Sequence, residues 1–133
     1  MKTALLLVLL WCETFAHAQT VVALYESGNA FVRFCSVADK VDKSSSDSDV
    51  QHAASCAFYV LGFVHGVEYG TGFTETTKGK NALQPFCRPD GVENGQMVRI
   101  VLKFIRENPE EAHKATPLLI TLAMAQSYPC PNK

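Results

Sequence analysis

Two cysteines bracket what reads as a helical hairpin, and that bracket constrains the fold more than any other feature of the chain. The segment opens Phe86-Cys87-Arg88-Pro89-Asp90-Gly91-Val92 and closes Tyr128-Pro129-Cys130-Pro131. Between them lie two amphipathic patterns with a break near Asn108-Pro109. In an antiparallel hairpin the residue before the first helix lies beside the residue after the second. Cys87 and Cys130 are therefore placed to bond wherever disulfides persist.

The N-terminus argues for such a compartment. Lys2 supplies a short positive region, and Leu5-Leu6-Leu7-Val8-Leu9-Leu10-Trp11 is an apolar run too short to span a bilayer. Ala16-His17-Ala18 is a small-x-small cleavage motif. Residues 1–18 are expected to be a signal peptide removed after Ala18, leaving 19–133 as a single secreted domain. Cys12 follows the bulky Trp11, where a lipid-attachment box requires a small residue, so an ordinary cleaved signal is the better reading.

Cleavage also removes Cys12 and leaves Cys35, Cys56, Cys87 and Cys130. An even count after a secretory signal reads as two disulfides, with three connectivities open. The rival reading, a metal site, lacks any Cys-x-x-Cys or close Cys/His pair. Taking 18 residues from 133 leaves 115, enough for one real core. The net charge of −1 argues against nucleic acid or an anionic membrane as partner. No second apolar run reaches membrane-spanning length.

The periodicity is helical throughout. Ser27-Gly28-Asn29 marks a first helix with Asn29 as its expected cap, followed by Ala30, Phe31, Phe34, Cys35 and Ala38. Asp39–Asp49 is polar and turn-rich, and reads as a mobile loop. A long helix is expected over roughly 50–73, capped by Asp47 or Asp49, with Ala53, Cys56, Val60, Phe63 and Val67 as its apolar stripe. Gly62, Gly66 and Gly70 recur at i, i+4 and i+8. Each glycine costs about 1 kcal/mol against alanine in a helix. Gly62 and Gly66 are therefore read as a close-packing surface, against a helix of the same domain or a partner subunit.

Thr74–Arg88 reads as a loop. A third helix is expected from Glu93 or Asn94 to Glu107, with Met97, Ile100, Val101, Phe104 and Ile105 facing inward. Asn108-Pro109-Glu110-Glu111 reads as cap, proline and dipole-matching acids. Thr116-Pro117 repeats the signal before a last helix carrying Leu118, Leu119, Leu122, Ala123 and Gln126. The fold class is thus all-α, a single small domain of four main helices. Cys35 falls late in helix one and Cys56 early in helix two, and an antiparallel pair would join them. The expected bonds are Cys35–Cys56 and Cys87–Cys130, each worth roughly 3–4 kcal/mol in the loop-entropy model.

These motifs together resemble the Rap/Tai family of type VI secretion immunity proteins. The matching string starts at Ser27-Gly28-Asn29 and runs through Cys56-Ala57-Phe58-Tyr59-Val60-Leu61-Gly62 and Gly66. It continues with Cys87-x-Pro89-x-Gly91-Val92, Gln96, Val101-x-x-Phe104-Ile105-x-x-x-Pro109 and Ala115, and closes on Tyr128-Pro129-Cys130. His65 replaces an acid that such proteins often carry, and Glu93 a usual threonine cap. The resemblance implies a periplasmic homodimer that binds a peptidoglycan amidase effector, a papain-like cysteine peptidase, and blocks its active-site cleft.

The residues themselves suggest no enzyme. His52, His65 and His113 have neither metal-ligand spacing nor a nucleophile beside them. Glu110 and Glu111 read as dipole complements rather than an acid–base pair, and Asp47 and Asp49 as caps or solvated charge. Bonded cysteines cannot supply a thiolate. No nucleotide or other cofactor motif is present. Two further readings stand beside inhibition: a periplasmic stress chaperone that exposes apolar surface, and a small-ligand carrier with a cavity lined by Phe31, Phe34, Phe63 and Phe104. A cleft-blocking inhibitor needs a projecting element on a rigid base. Two segments qualify. One is Thr74–Arg88, with Glu75, Lys78, Lys80, Asn81 and Gln84. The other is Asn108–Lys114, with Glu110, Glu111 and His113. The first is favoured because its tether at Cys87 limits the entropy lost on ordering.

Overall fold

A computed structural model of the protein describes residues 26–78 and 84–131, and over 74–78 the backbone alone. The expected signal peptide and its cleavage site lie outside the described residues. Among the described residues four helices build the domain: α1 Gly28–Cys35, α2 Asp47–Lys78, α3 Asn94–Glu107 and α4 Thr116–Ser127. Short 3-10 turns, Ser36–Asp39 and Pro109–Glu111, come after α1 and α3. No strand occurs among the described residues, so the all-α class holds.

Helix α3 is the central element and packs on all three others. Its Met97, Val98, Val101, Leu102 and Ile105 are buried, while Ile100 and Phe104 are half-buried at the edge of the stripe. Burying five such side chains contributes on the order of 10 kcal/mol before chain entropy is charged against it. Opposite them lie Phe31 from α1, Cys56, Val60 and Val64 from α2, and Leu119, Ile120, Ala123 and Met124 from α4. The α2 stripe therefore centres on i, i+4, i+8 from Cys56, with Ala53, Phe63 and Val67 on its flanks. The α4 stripe is rotated by about one residue from expectation. Leu118 and Leu122 face outward, and so does Gln126, because Ile120 and Met124 take the inner positions.

Both expected disulfides form. Cys35–Cys56 joins α1 to α2 with Cα atoms 5.8 Å apart, and Cys87–Cys130 closes the α3–α4 hairpin at 4.8 Å. The first pair is fully buried and the second half-buried. Main-chain pairing reinforces the second: the Cys87 N–H donates to the Tyr128 carbonyl at 2.8 Å.

The caps differ from the sequence expectations. Ser27, not Asn29, caps α1: its Oγ accepts the Ala30 N–H at 3.3 Å. At the start of α2, the Ser46 Oγ accepts the Asp49 N–H at 3.2 Å and donates to the Asp49 carboxylate at 2.7 Å, a reciprocal box of the capping kind. Asp49 thus supports the cap from inside the helix. Asn108 both closes α3, its Nδ2 donating to the Phe104 carbonyl at 2.8 Å, and holds the expected cap position before the Pro109–Glu111 turn, there without a side-chain bond. Glu93 occupies the cap position of α3 without a side-chain bond to it. Thr116 is the first residue of α4, after Ala115 as the cap position, and is fully buried.

The serine-rich stretch carries local side-chain bonds. The Asp42 carboxylate accepts the Ser44 N–H at 2.7 Å and the Ser44 hydroxyl at 2.6 Å. These bonds to Ser44 hold the exposed Asp42 carboxyl below its ordinary value of 3.8. An aspartate bonding the backbone two residues on is a self-contained turn.

Candidate partner-binding surface

Helix α2 spans 32 residues, against 14 for α3 and 12 for α4. At 1.5 Å per residue it is about 48 Å long, more than twice either neighbour. It continues to Lys78, five residues past its expected end. Glu75 and Lys78 therefore belong to its last turns and not to a loop. Lys80 and Asn81 lie outside the described residues. Gln84 is exposed.

The described chain on either side of that segment is anchored. Glu68 on α2 grips Arg88 with two bonds of 2.9 Å, Oε1 to Nε and Oε2 to Nη2. Both side chains are about four-fifths buried. Hydrogen bonding to the Glu68 carboxylate raises the Arg88 pKa above its ordinary value, against the opposing effect of burial. Beside Arg88, Phe86 is fully buried and Cys87 is bonded to Cys130. Gln96 adds a bond from its Nε2 to the Tyr128 hydroxyl at 3.2 Å.

The second expected segment, Asn108–Lys114, holds the start of α1. The Lys114 and Ala112 carbonyls accept the Gly28 and Asn29 N–H groups at 3.1 and 2.9 Å. Two orphan donors of α1 are satisfied in this way. Glu111 pairs with Lys114, while Glu110 and His113 stay exposed. The two segments emerge from separate parts of the fold, one from α2 and the disulfide clamp, the other from the α3–α4 connection.

The outer face of α2 is the least ordinary surface. Gly62 and Gly66 have nothing within 4 Å of a Cβ, so no described element of the chain packs on them. Among the described residues, no helix of the same domain is seated on them. Phe58 and Tyr69, 70% and 76% exposed, flank them on that face, and His65 sets its ring edge-on to Tyr69. The sequence reading missed these two aromatics. Their signal was the absence of charge between Val50 and Thr74, Glu68 excepted.

Among the described residues no cluster of three His, Cys, Asp or Glu side chains is disposed to hold a metal ion. No helix among them is long and apolar enough to cross a membrane. The four cysteines among the described residues are all paired, so none of these can act as a thiolate. His52 packs against Phe34 at 4.8 Å between ring centroids. Two open grooves of about 250 and 280 Å³ lie between α3 and α4, floored by Ile100 and Phe104, and between α1 and α3, floored by Val32 and Ile105.

A family model described as Rap1a immunity proteins matches residues 27–130. The chain belongs to the Rap1a immunity protein family. The match begins at the Ser27 cap and ends at Cys130, so it covers the four-helix frame and both disulfides of this Rap1a protein. No curated protein and no solved structure matches the chain. Membership makes it an immunity protein whose partner is a secreted effector, and the two disulfides suit an extracytoplasmic location.

Proposed function

We propose that this Rap1a family member is a periplasmic, dimeric inhibitor of a peptidoglycan amidase delivered by type VI secretion, reached through a signal peptide cleaved after Ala18. It works by occupying the amidase's active-site cleft and performs no chemistry of its own. The observation that carries the reading is the family match across residues 27–130. The framework is consistent with it: a filled core and two covalent staples.

The favoured contact element is the end of α2 together with the segment leading to Arg88, with Glu75, Lys78, Lys80, Asn81 and Gln84. Support comes from the anchors beside it. Glu68–Arg88 and Cys87–Cys130 fix the described flank, and a pre-anchored element loses less entropy on binding. Glu110, Glu111 and His113 form the alternative element. Its backbone is already engaged in holding α1.

The carrier reading has less support, because Phe31 is fully buried in the core and Phe104 lines an open groove rather than an enclosed cavity. The chaperone reading draws on the exposed Phe58 and Tyr69.

Titrating the purified protein against the amidase encoded in the neighbouring reading frame tests the proposal. Stoichiometric loss of stem-peptide cleavage is expected. A variant with Glu75, Lys78, Lys80 and Gln84 all changed to Ala should bind more weakly. Unchanged affinity would move the contact to Glu110 and His113.

A further inference from the structure

We infer that the groove between α1 and the end of α3 is a binding site for a short acidic peptide, one whose apolar side chain stands next to a carboxylate. The site is independent of the effector and of the dimer.

The sequence builds it from two helices and a turn. Asn29, Val32 and Arg33 are spaced i, i+3 and i+4 on α1 and so share one face. Ile105 and Arg106 come from the last turns of α3, and Pro109 from the turn that follows. Together they line a mostly apolar groove of about 280 Å³. Small-ligand pockets begin near 300 Å³, so the occupant is short.

The charge at this groove is cationic. Arg106 donates from Nη1 to Asp39 Oδ2 at 2.7 Å, which holds its guanidinium in place. That bond uses one of five N–H donors and leaves the others for a second acceptor. Arg33 is exposed and makes no ion pair among the described residues. No acidic side chain lines the groove there, so one positive charge remains after Asp39 is set against Arg106. A guanidinium fork matches the planar geometry of a carboxylate.

Asn29 supplies the peptide contact. Ser27 has taken the cap of α1, so the exposed Asn29 amide is released from that role. A primary amide offers both a donor and an acceptor, as a peptide bond does. Asn29 lies one helical turn before Arg33, about 6 Å along the axis. An extended peptide covers that distance in about two residues. A carboxylate at Arg33 and Arg106 therefore sets a ligand peptide bond at Asn29, with the apolar side chain between them over Val32, Ile105 and Pro109. An inorganic anion would leave that floor unused. A neutral apolar ligand would desolvate the guanidiniums without pairing them.

The test is an NMR titration of the purified, disulfide-bonded protein with acetyl-glycyl-leucine, whose free carboxylate follows a leucine side chain. Its C-terminal amide and sodium acetate serve as the comparison probes. At about 0.3 kcal/mol per non-hydrogen atom, the acid should bind with a Kd of roughly 0.3–1 mM. Shifts should be confined to α1, the end of α3 and the Pro109–Ala112 turn. The amide and acetate should each bind about tenfold more weakly, the first for want of the charge-assisted bonds and the second for want of the side chain. Arg33→Gln and Asn29→Ala, both at exposed positions, should each weaken the acid several-fold while the remaining spectrum is unchanged. Absence of shifts at millimolar acid overturns the site, as do shifts centred elsewhere on the domain. Equal binding of acid and amide, or of acid and acetate, overturns the assigned chemistry on the native protein alone, whatever the variants do.

Discussion

Glu68 and Arg88 meet in a two-point ion pair, 2.9 Å at each contact, between the long helix α2 and the residue beside Cys87. A fork of this kind fixes orientation as well as distance, which a lysine cannot do. It locks the start of the α3–α4 hairpin onto α2, where the disulfide alone would tie it only to the end of α4.

Removing one partner leaves the other largely buried and unpaired. Arg88→Ala is expected to destabilise the fold by about 2–3 kcal/mol, and Arg88→Lys by less, on chemical denaturation. The sign of its pH dependence is fixed by the direction of the shift. A cationic group with a raised folded pKa contributes fully below its unfolded pKa and loses that contribution only as pH rises through the folded value. The arginine end of the clamp should therefore be constant from neutral pH to well into the alkaline range.

The two disulfides should differ in reactivity because they differ in burial. Cys35 and Cys56 are fully buried, whereas Cys87 and Cys130 are half-buried near the chain's end. Thiol–disulfide exchange requires a thiolate to reach the sulfur. Limited reduction and then alkylation should label Cys87 and Cys130 first. Labelling of Cys35 and Cys56 at equal rates would contradict the burial order.

Three glycines should respond in opposite ways to alanine. A Cβ on Gly28 would collide with Leu119 Cδ1 and lie 3.1 Å from the Ala112 carbonyl oxygen. Gly28→Ala should cost about 1–3 kcal/mol through overpacking. Gly62→Ala and Gly66→Ala meet nothing in the chain, and each should add up to about 1 kcal/mol to monomer stability through helix propensity. Thermal melts under conditions that keep the protein monomeric would separate the two classes.

The Asp42 turn gives a pH signature. Its carboxyl is held low by hydrogen bonds from Ser44, so the turn's bonding is present above 3.8 and lost as pH falls through the lower folded value. An NMR titration should place the Asp42 midpoint below 3.8. Ser44→Ala should return it toward that value.

Particular residues mark how much of this was legible in the chain. The cysteines carried furthest: helix order alone paired Cys35 with Cys56 and Cys87 with Cys130, because antiparallel neighbours leave little choice. The α3 stripe was legible from its period, although Val98 and Leu102 are buried where Ile100 and Phe104 were expected. An apolar arc wider than one stripe does not announce its centre. The caps were displaced by one to three residues, since Ser27 and Asn29, or Ser46 and Asp49, can serve equally by chemistry. The end of α2 was missed because Thr74–Lys78 has no periodic apolar partner and is helical without one. Gly62 and Gly66 read as a surface from their spacing, yet only coordinates could place that surface outside the bundle. The candidate contact residues were least legible, since exposed polar side chains look alike whether or not a partner meets them.

The most direct test of the account is inhibition of the amidase encoded beside this chain, measured as stem-peptide cleavage while the purified protein is titrated in. The account predicts that activity falls in proportion and is abolished at one protomer per amidase. Full cleavage in the presence of excess protein would contradict it.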